Sequence, residues 1–358
     1  MSKPICNKCG KEFANKGTYT KHINRKNPCV VEIKNQESEV FEKNEFVSSI
    51  ELPTGSGDVA STEPIQNTTI PVQLDATRRL KFIDLFCGIG SFHYSFKKFD
   101  WECVMSCDID KAVKETYKTN YGLAPLDDIT KIEPENVPAF DILCAGFPCQ
   151  PFSQCGLHKG FDDKRGTLFF NIMKFVEHHR PQIIILENVR GLLNHDGGNT
   201  FKRIQDDIKS ADYSITFKVI KCSDYGLPQM RKRLIIVGIR NDTKLVKYID
   251  KLLDFEEYTQ EKTLSQLLGK RFEKDIAYTI RCGGRNSPIN DKHNWDGYMV
   301  DGKEYRLTKE DCLKIQGFDA DFKLCGNNNE QWRQLGNTIP TRFTEIIGLN
   351  INKYLMMC

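Results

Sequence analysis

From Leu80 onward the chain alternates short, almost wholly apolar runs with amphipathic stretches. The runs are KFIDLF (81–86), ECVMSCDI (102–109), FDILCAGF (140–147), QIIILENV (182–189) and RLIIVGI (233–239). Between them lie helical patterns such as KAVKETYKTNY (111–121) and FFNIMKFVEHH (169–179). Strands that are apolar on both faces, separated by helices, predict an α/β fold: a doubly wound, mostly parallel sheet covered on both sides. In such a sheet ligands sit at the carboxyl ends of the strands. Residues 31–79 show no sustained apolar period and are rich in Glu, Ser, Thr, Asn, Pro and Gly, which predicts a flexible linker.

Composition sharpens this division. The chain has 358 residues, 39% apolar and 28% charged, as expected of a folded globular protein. Its longest apolar stretches, Ile183 to Leu186 and Leu234 to Ile239, fall far short of the ~20 residues a spanning helix needs. The start MSKPICNKCG has no apolar segment of a secretory signal. No membrane association is expected, and the cytoplasm is the expected site, or the nucleus or a viral replication site for a eukaryotic or viral source. The fourteen scattered cysteines then read as reduced thiols, some of which do chemistry or hold metal.

The net charge of +3 conceals three objects. Residues 1–29 carry seven Lys or Arg against Glu12 alone, and residues 30–77 carry two Lys against nine acids. A basic head, an acidic tether and a mildly basic body follow.

The head reads Cys6-x2-Cys9, Phe13, Tyr19, His22 and Cys29. Two close thiolates, a His after a twelve-residue gap and a further ligand can assemble a tetrahedral structural Zn2+ site, whose binding would supply the folding free energy of so short a unit. Residues 1–30 resemble a single zinc finger of the two-cysteine, two-histidine type, with Cys29 in place of the second His. The alternative is a basic tail with incidental cysteines. Lys16, Lys21, Arg25 and Lys26 suit phosphate contacts, but one finger reads only ~3 base pairs, and fingers also bind proteins.

In the body, the unusual residues stand at strand ends. Asp84-Leu85-Phe86-Cys87-Gly88-Ile89-Gly90 reads as a strand entering a glycine turn, and Asp108 follows Gly88 by twenty residues. That is where a carboxylate meets ribose hydroxyls, so a nucleoside cofactor without a pyrophosphate is expected, against the alternative of a tight turn with a surface acid. Cys149 follows a strand within Gly146-Phe147-Pro148-Cys149-Gln150, placed like a nucleophile. Glu187 ends an apolar strand where an unpaired acid would be costly.

DLFCGIGSF, GFPCQPFS, RGTLFF, ENV, QMRKR and GNTIP occur in this order, and with them residues 80–358 resemble the cytosine-5 DNA methyltransferases. The resemblance implies a methyltransferase that uses S-adenosylmethionine to modify carbon 5 of a cytosine flipped out of double-stranded DNA. Cys149 would attack carbon 6, Glu187 would protonate ring nitrogen 3, and Arg233, with Arg231 beside it in one strand, would hold the base carbonyl and the nucleophile loop. Phe86, Gly88 and Gly90 would line the cofactor, Asp108 its ribose, Asp128 its adenine amine, and Asn337 with Thr338 its methionine end. Ile109, Ile129 and Pro148 complete the cofactor contacts, Pro148 and Asn188 also shaping the base pocket. Two positions depart from the family pattern: Cys87 where Ala or Ser is commoner, and Ile109 where an aromatic often stacks on adenine.

The resemblance divides the body into a catalytic and cofactor-binding part at 80–240, a short recognition region at 241–300 and a return to the catalytic domain at 301–358. Gln150 to Lys164 would be a lid, and Arg285 to Trp295 a loop able to read base edges. The expected molecule is a monomer of restriction-modification or large-virus type, with a protein partner for the finger as a further option. A tRNA methyltransferase and a catalytically silent DNA-binding homologue are the alternatives.

Overall fold

The computed structural model describes Thr20, residues 79–148 and residues 168–358. The chain divides into Met1–Gln66 and Asn67–Cys358, and apart from Thr20 all that follows concerns the second unit. The expected zinc ligands Cys6, Cys9, His22 and Cys29, the linker up to residue 78, and Cys149 with the Gln150 to Lys164 loop lie outside the described residues.

Six strands, β1 (Lys81–Leu85), β2 (Glu102–Cys107), β3 (Ile142–Gly146), β4 (Ile183–Val189), β5 (Tyr213–Lys221) and β6 (Lys232–Arg240), form one sheet in the order β2-β1-β3-β4-β6-β5. β1 pairs in parallel with β2 and β3, and β3 with β4, whereas β6 is antiparallel to both β4 and β5. Of the six strands β6 alone therefore runs against the rest. The five apolar runs of the sequence are β1, β2, β3, β4 and β6. β5 is the addition: it lies at one edge of the sheet, only Tyr213 and Ile220 of its nine residues are buried, and its apolar content is diluted by Ser214, Thr216, Lys218 and Lys221.

Consecutive strand residues face opposite sides, and each side has its own helices. Phe82, Ile142, Ile183 and Val237 pack with Phe92 and Phe96 of helix α1 (Ser91–Phe96). Helix α2 (Lys111–Tyr121) starts at Asp110, whose side chain accepts from Ala112 N and Val113 N, and stops at Gly122 with φ 73°. On the other sheet face Ile83, Leu143, Ile184 and Ile236 pack under α3 (Leu168–His179) and α4 (Asn199–Ser210), through Phe169, Ile172, Ile204 and Ile208 among others.

A second core gathers α5 (Leu264–Leu268), the hairpin β7 (Gly297–Val300) and β8 (Lys303–Arg306), α6 (Lys309–Gln316) and α7 (Asn328–Asn337) around buried Trp295, Tyr298, Ile315, Trp332 and Leu335. The last helix, α8 (Thr341–Leu355), returns to the first core with Phe343, Ile346, Ile347 and Ile351. The chain after β6 is shared between the two cores. Leu245, Leu252, Leu253 and Phe255 pack in the sheet's core. Residues 301–337 pack in the second core, and only α8 returns. Among the described residues, no helix is long and apolar enough to cross a membrane. The nine cysteines among them are all free thiols.

Candidate functional site

The chain leaves β1 toward β2 on one side and reaches β3 on the other, so a crevice opens at the carboxyl ends of β1 and β3. Here Phe86, Gly88 and Gly90 take φ of 55°, 53° and 85°. Phe86 is a bulky residue in a region that favours glycine, a local strain of the kind that concentrates at functional sites. The turn aims Gly88 N–H at Asp108 Oδ2 (3.0 Å), while Asp110 N–H donates to Asp108 Oδ1 (2.9 Å). Burial raises the Asp108 pKa and these N–H groups oppose the rise.

A cavity of about 610 Å³ fills the crevice. One wall holds nine of the ten expected cofactor residues: Phe86, Gly88, Asp108, Ile109, Asp128, Ile129, Pro148, Asn337 and Thr338. Gly90 is the exception. It does not line the cavity, and a Cβ there would run into the Tyr121 ring, so packing behind the turn requires glycine at this position. Ile109 is 75% exposed, an apolar face turned outward beside Asp108. Asp128 accepts from Thr130 N–H (3.0 Å), which holds its carboxyl below the usual range.

At the other end Thr338 donates its hydroxyl to Gln334 O (2.7 Å) and keeps acceptor capacity. Asn337 Oδ1 accepts from Cys282 Sγ (2.9 Å), which leaves its amide N–H groups as donors. A carboxylate for ribose, an apolar face, an open acid, then a donor beside an acceptor is the donor set of a nucleoside joined to an amino acid. These residues fit S-adenosylmethionine.

The same cavity is also lined by Glu187, Arg231 and Arg233. Antiparallel pairing sets Val189 against Arg233, so the guanidinium returns toward the end of β4. Arg233 Nε lies 2.7 Å from Glu187 Oε1, an ion pair without the alignment of a hydrogen bond, so Oε1 is left unsatisfied. Burial raises the Glu187 pKa, while Arg233 and then Arg231 pull it down. Asn188 Nδ2 donates to Phe147 O (2.9 Å), tying the end of β4 to the segment that leads through Pro148 to Cys149. Of the four expected catalytic residues, the structure brings Glu187, Arg231 and Arg233 to this cavity.

Arg231 differs from expectation. It precedes β6 instead of sharing the strand with Arg233. Its fully buried guanidinium donates to Ile280 O (3.1 Å) and Gly336 O (3.0 Å), so it joins the QMRKR segment to the second core and to GNTIP. Burial and then Arg233 work against its charge, and Glu187 supports it.

The expected base-reading loop also needs correction. Arg285 stacks on Trp332 (3.8 Å) near the fully buried Asp296, Asn294 donates to Ile289 O and Gly297 O, and Trp295 is buried. These groups hold the loop in shape. Asn290, Asp291, Lys292 and His293 form its exposed tip. The motifs gave no notice of Asp110 and Arg333, which pair at 2.6 Å on the cavity rim. The available signal was spacing, since Arg333 stands four residues before Asn337 in one helix.

The family model described as C-5 cytosine-specific DNA methylase matches residues 80–298 and 275–353. The type II methyltransferase M.DsaV of Dactylococcopsis salina is 34% identical over 78% of this chain and 87% of its own. M.HhaI of Haemophilus parahaemolyticus is 31% identical over 77% and 95%. Among solved structures, the S. pombe Dnmt2 methyltransferase superposes with a TM-score of 0.59 at 18% identity, covering 78% of this chain and 99% of that one, a likeness of fold. With the methyltransferase sheet, a cavity fitted to S-adenosylmethionine and these matches together, the chain belongs to the C-5 cytosine-specific DNA methylase family.

Proposed function

We propose that this protein methylates carbon 5 of a cytosine flipped out of a specific duplex DNA sequence, through a covalent adduct of Cys149. The observation that carries the reading is the Glu187–Arg233 ion pair, its carboxyl buried, in the same cavity as the nucleoside-fitting residues. Carbon 5 of cytosine is a poor nucleophile, so the ring must first be activated. The Cys149 thiolate adds to carbon 6, and the ring electrons displaced toward nitrogen 3 are met by the Glu187 proton. Burial favours the protonated acid that this step consumes. Arg233 holds the base carbonyl oxygen and stays beside the carboxylate left behind. Asn188, through Phe147 O, fixes the approach to Cys149. Arg231 locks the QMRKR segment to GNTIP. Bound S-adenosylmethionine supplies the electrophilic methyl group. Loss of the carbon 5 proton to water, expulsion of the thiolate and return of the nitrogen 3 proton to the Glu187 carboxylate then restore the ring and the acid.

Flipping is required because the target atom lies inside the stack. Intact Glu187 and Arg233 speak against a catalytically silent homologue. The type II names of the relatives support a restriction-modification setting. The test is transfer of labelled methyl from S-adenosylmethionine to duplex DNA and, separately, to tRNA. Label at cytosine carbon 5 of DNA is expected; label on RNA alone would overturn the reading.

Residues 1–30 are a finger holding structural Zn2+ through Cys6, Cys9, His22 and Cys29, joined to a monomeric enzyme by an acidic linker. Its basic residues add DNA affinity through phosphates. Removing residues 1–30 is expected to weaken duplex binding and to flatten the dependence of log K on log salt, measured by fluorescence titration from 50 to 200 mM salt. An unchanged slope would assign the finger to a protein partner.

A further inference from the structure

Asp110 and Arg333 have no task in the scheme above, yet both line the cofactor cavity. Asp110 uses one carboxylate oxygen to cap α2 and offers the other, Oδ2, to Arg333 Nη2 at 2.6 Å. Its own N–H donates to Asp108, which in turn holds Gly88. Arg333 and Asn337, one turn apart in α7, share a helix face. A line of bonds thus runs from the glycine turn after β1, through Asp108, to the helix that carries Asn337. Cys282 fastens the same end, its single S–H donating to Asn337 Oδ1 (2.9 Å) with Arg333 O nearby at 3.6 Å from the sulfur.

We infer that the Asp110–Arg333 ion pair is a clasp closing the rim of the cofactor cavity, and that it sets how tightly the cofactor is held. The inference rests on reading this cavity as the S-adenosylmethionine site. The pair is not needed to join the two helices, because Thr116 Oγ1 donates to Gln334 Oε1 (2.7 Å) in the buried interior between them. Its position at the mouth, with the side chains 24% and 51% exposed, means that it can open to solvent and that salt can screen it.

The test is calorimetric titration of the full chain with S-adenosylhomocysteine, chosen because it lacks the sulfonium charge. Asp110→Asn keeps a good helix cap and Arg333→Gln a good helix former. Each is expected to raise Kd about two- to fivefold, the range of a part-exposed ion pair. The double variant should be no weaker than either single, and Arg333→Lys should recover most of the loss. Wild-type Kd should approach that of the variants in 1 M salt, where the screening length falls to about 3 Å. In turnover the KM for S-adenosylmethionine should carry the change in place of kcat, a split that a merely structural role would not produce. Unchanged Kd in both singles, or a double equal to the product of the singles, overturns the clasp. Asp108→Ala separates the two claims: it should weaken binding far more than the clasp variants, and if it does not, the cavity reading fails and the clasp with it.

Discussion

Cys149→Ser is expected to lower methyl transfer by a factor on the order of 10⁴ or more, the scale seen when an activated nucleophile is removed. The change is nearly isosteric, so shape is not what is lost. A thiol with a free pKa of ~8.5 is readily held as a thiolate, whereas a serine hydroxyl is not ionised near neutrality and adds poorly to carbon 6. Since the S-adenosylmethionine wall is built from other residues, S-adenosylhomocysteine should bind the variant within about twofold of wild type. Labelled-methyl transfer to duplex DNA, paired with the same calorimetric titration, checks both halves. Retained transfer would refute the nucleophile; loss of cofactor binding would show that the variant had lost more than its thiol.

Glu187→Gln follows with an expected fall in kcat of about 10²–10⁴, the usual worth of a positioned general acid. Glutamine can still hydrogen-bond the ring but cannot give up a proton. The substitution also leaves Arg233, 15% exposed, without its anion, and part of any loss in stability will come from that uncompensated charge. Thermal melting of the variant should therefore accompany its kinetics. The pH profile separates chemistry from folding. Burial raises the Glu187 pKa, with Arg233 and Arg231 pulling against it, so the wild type holds more of the protonated acid near neutrality than an ordinary carboxyl would. As pH rises through the Glu187 pKa, that form and the rate it supports should decline. The glutamine variant should lack this limb, and an identical decline in both proteins would remove Glu187 from the proton's path.

What could be read from sequence follows the physics of each element. Five mostly apolar runs correspond to β1, β2, β3, β4 and β6, of which all but the edge strand β2 have a neighbouring strand on both sides. β5 was not singled out because Ser214, Thr216, Lys218 and Lys221 break up its apolar run, and only Tyr213 and Ile220 of its nine residues are buried. Glu187 was legible as a carboxyl no apolar strand would otherwise keep, and Asp108 by its distance from Gly88. Gly90 does not line the cavity, and Arg231 precedes β6 instead of sharing the strand with Arg233. What decides them, the Tyr121 ring behind the turn and the carbonyls of Ile280 and Gly336, comes from segments remote in sequence. The same holds for Arg285 and Asn294, polar residues that look free until Asp296, Trp332 and Gly297 are seen to occupy them. Leu245 and Phe255 continue the first core past the end of β6, and a pattern of polar and apolar residues does not say which of two cores an apolar residue joins.

The covalent step is the centre of the account, and trapping it is the most direct measurement. A duplex carrying 5-fluorocytosine at the target site should react with the protein and S-adenosylmethionine through addition at carbon 6 and methylation at carbon 5. It should then stop, because fluorine cannot leave as the proton does. The account predicts a protein–DNA complex that survives denaturing electrophoresis, with the DNA attached to the peptide containing Cys149. No stable complex on a duplex that is methylated when it carries ordinary cytosine, or attachment at another cysteine, would contradict it.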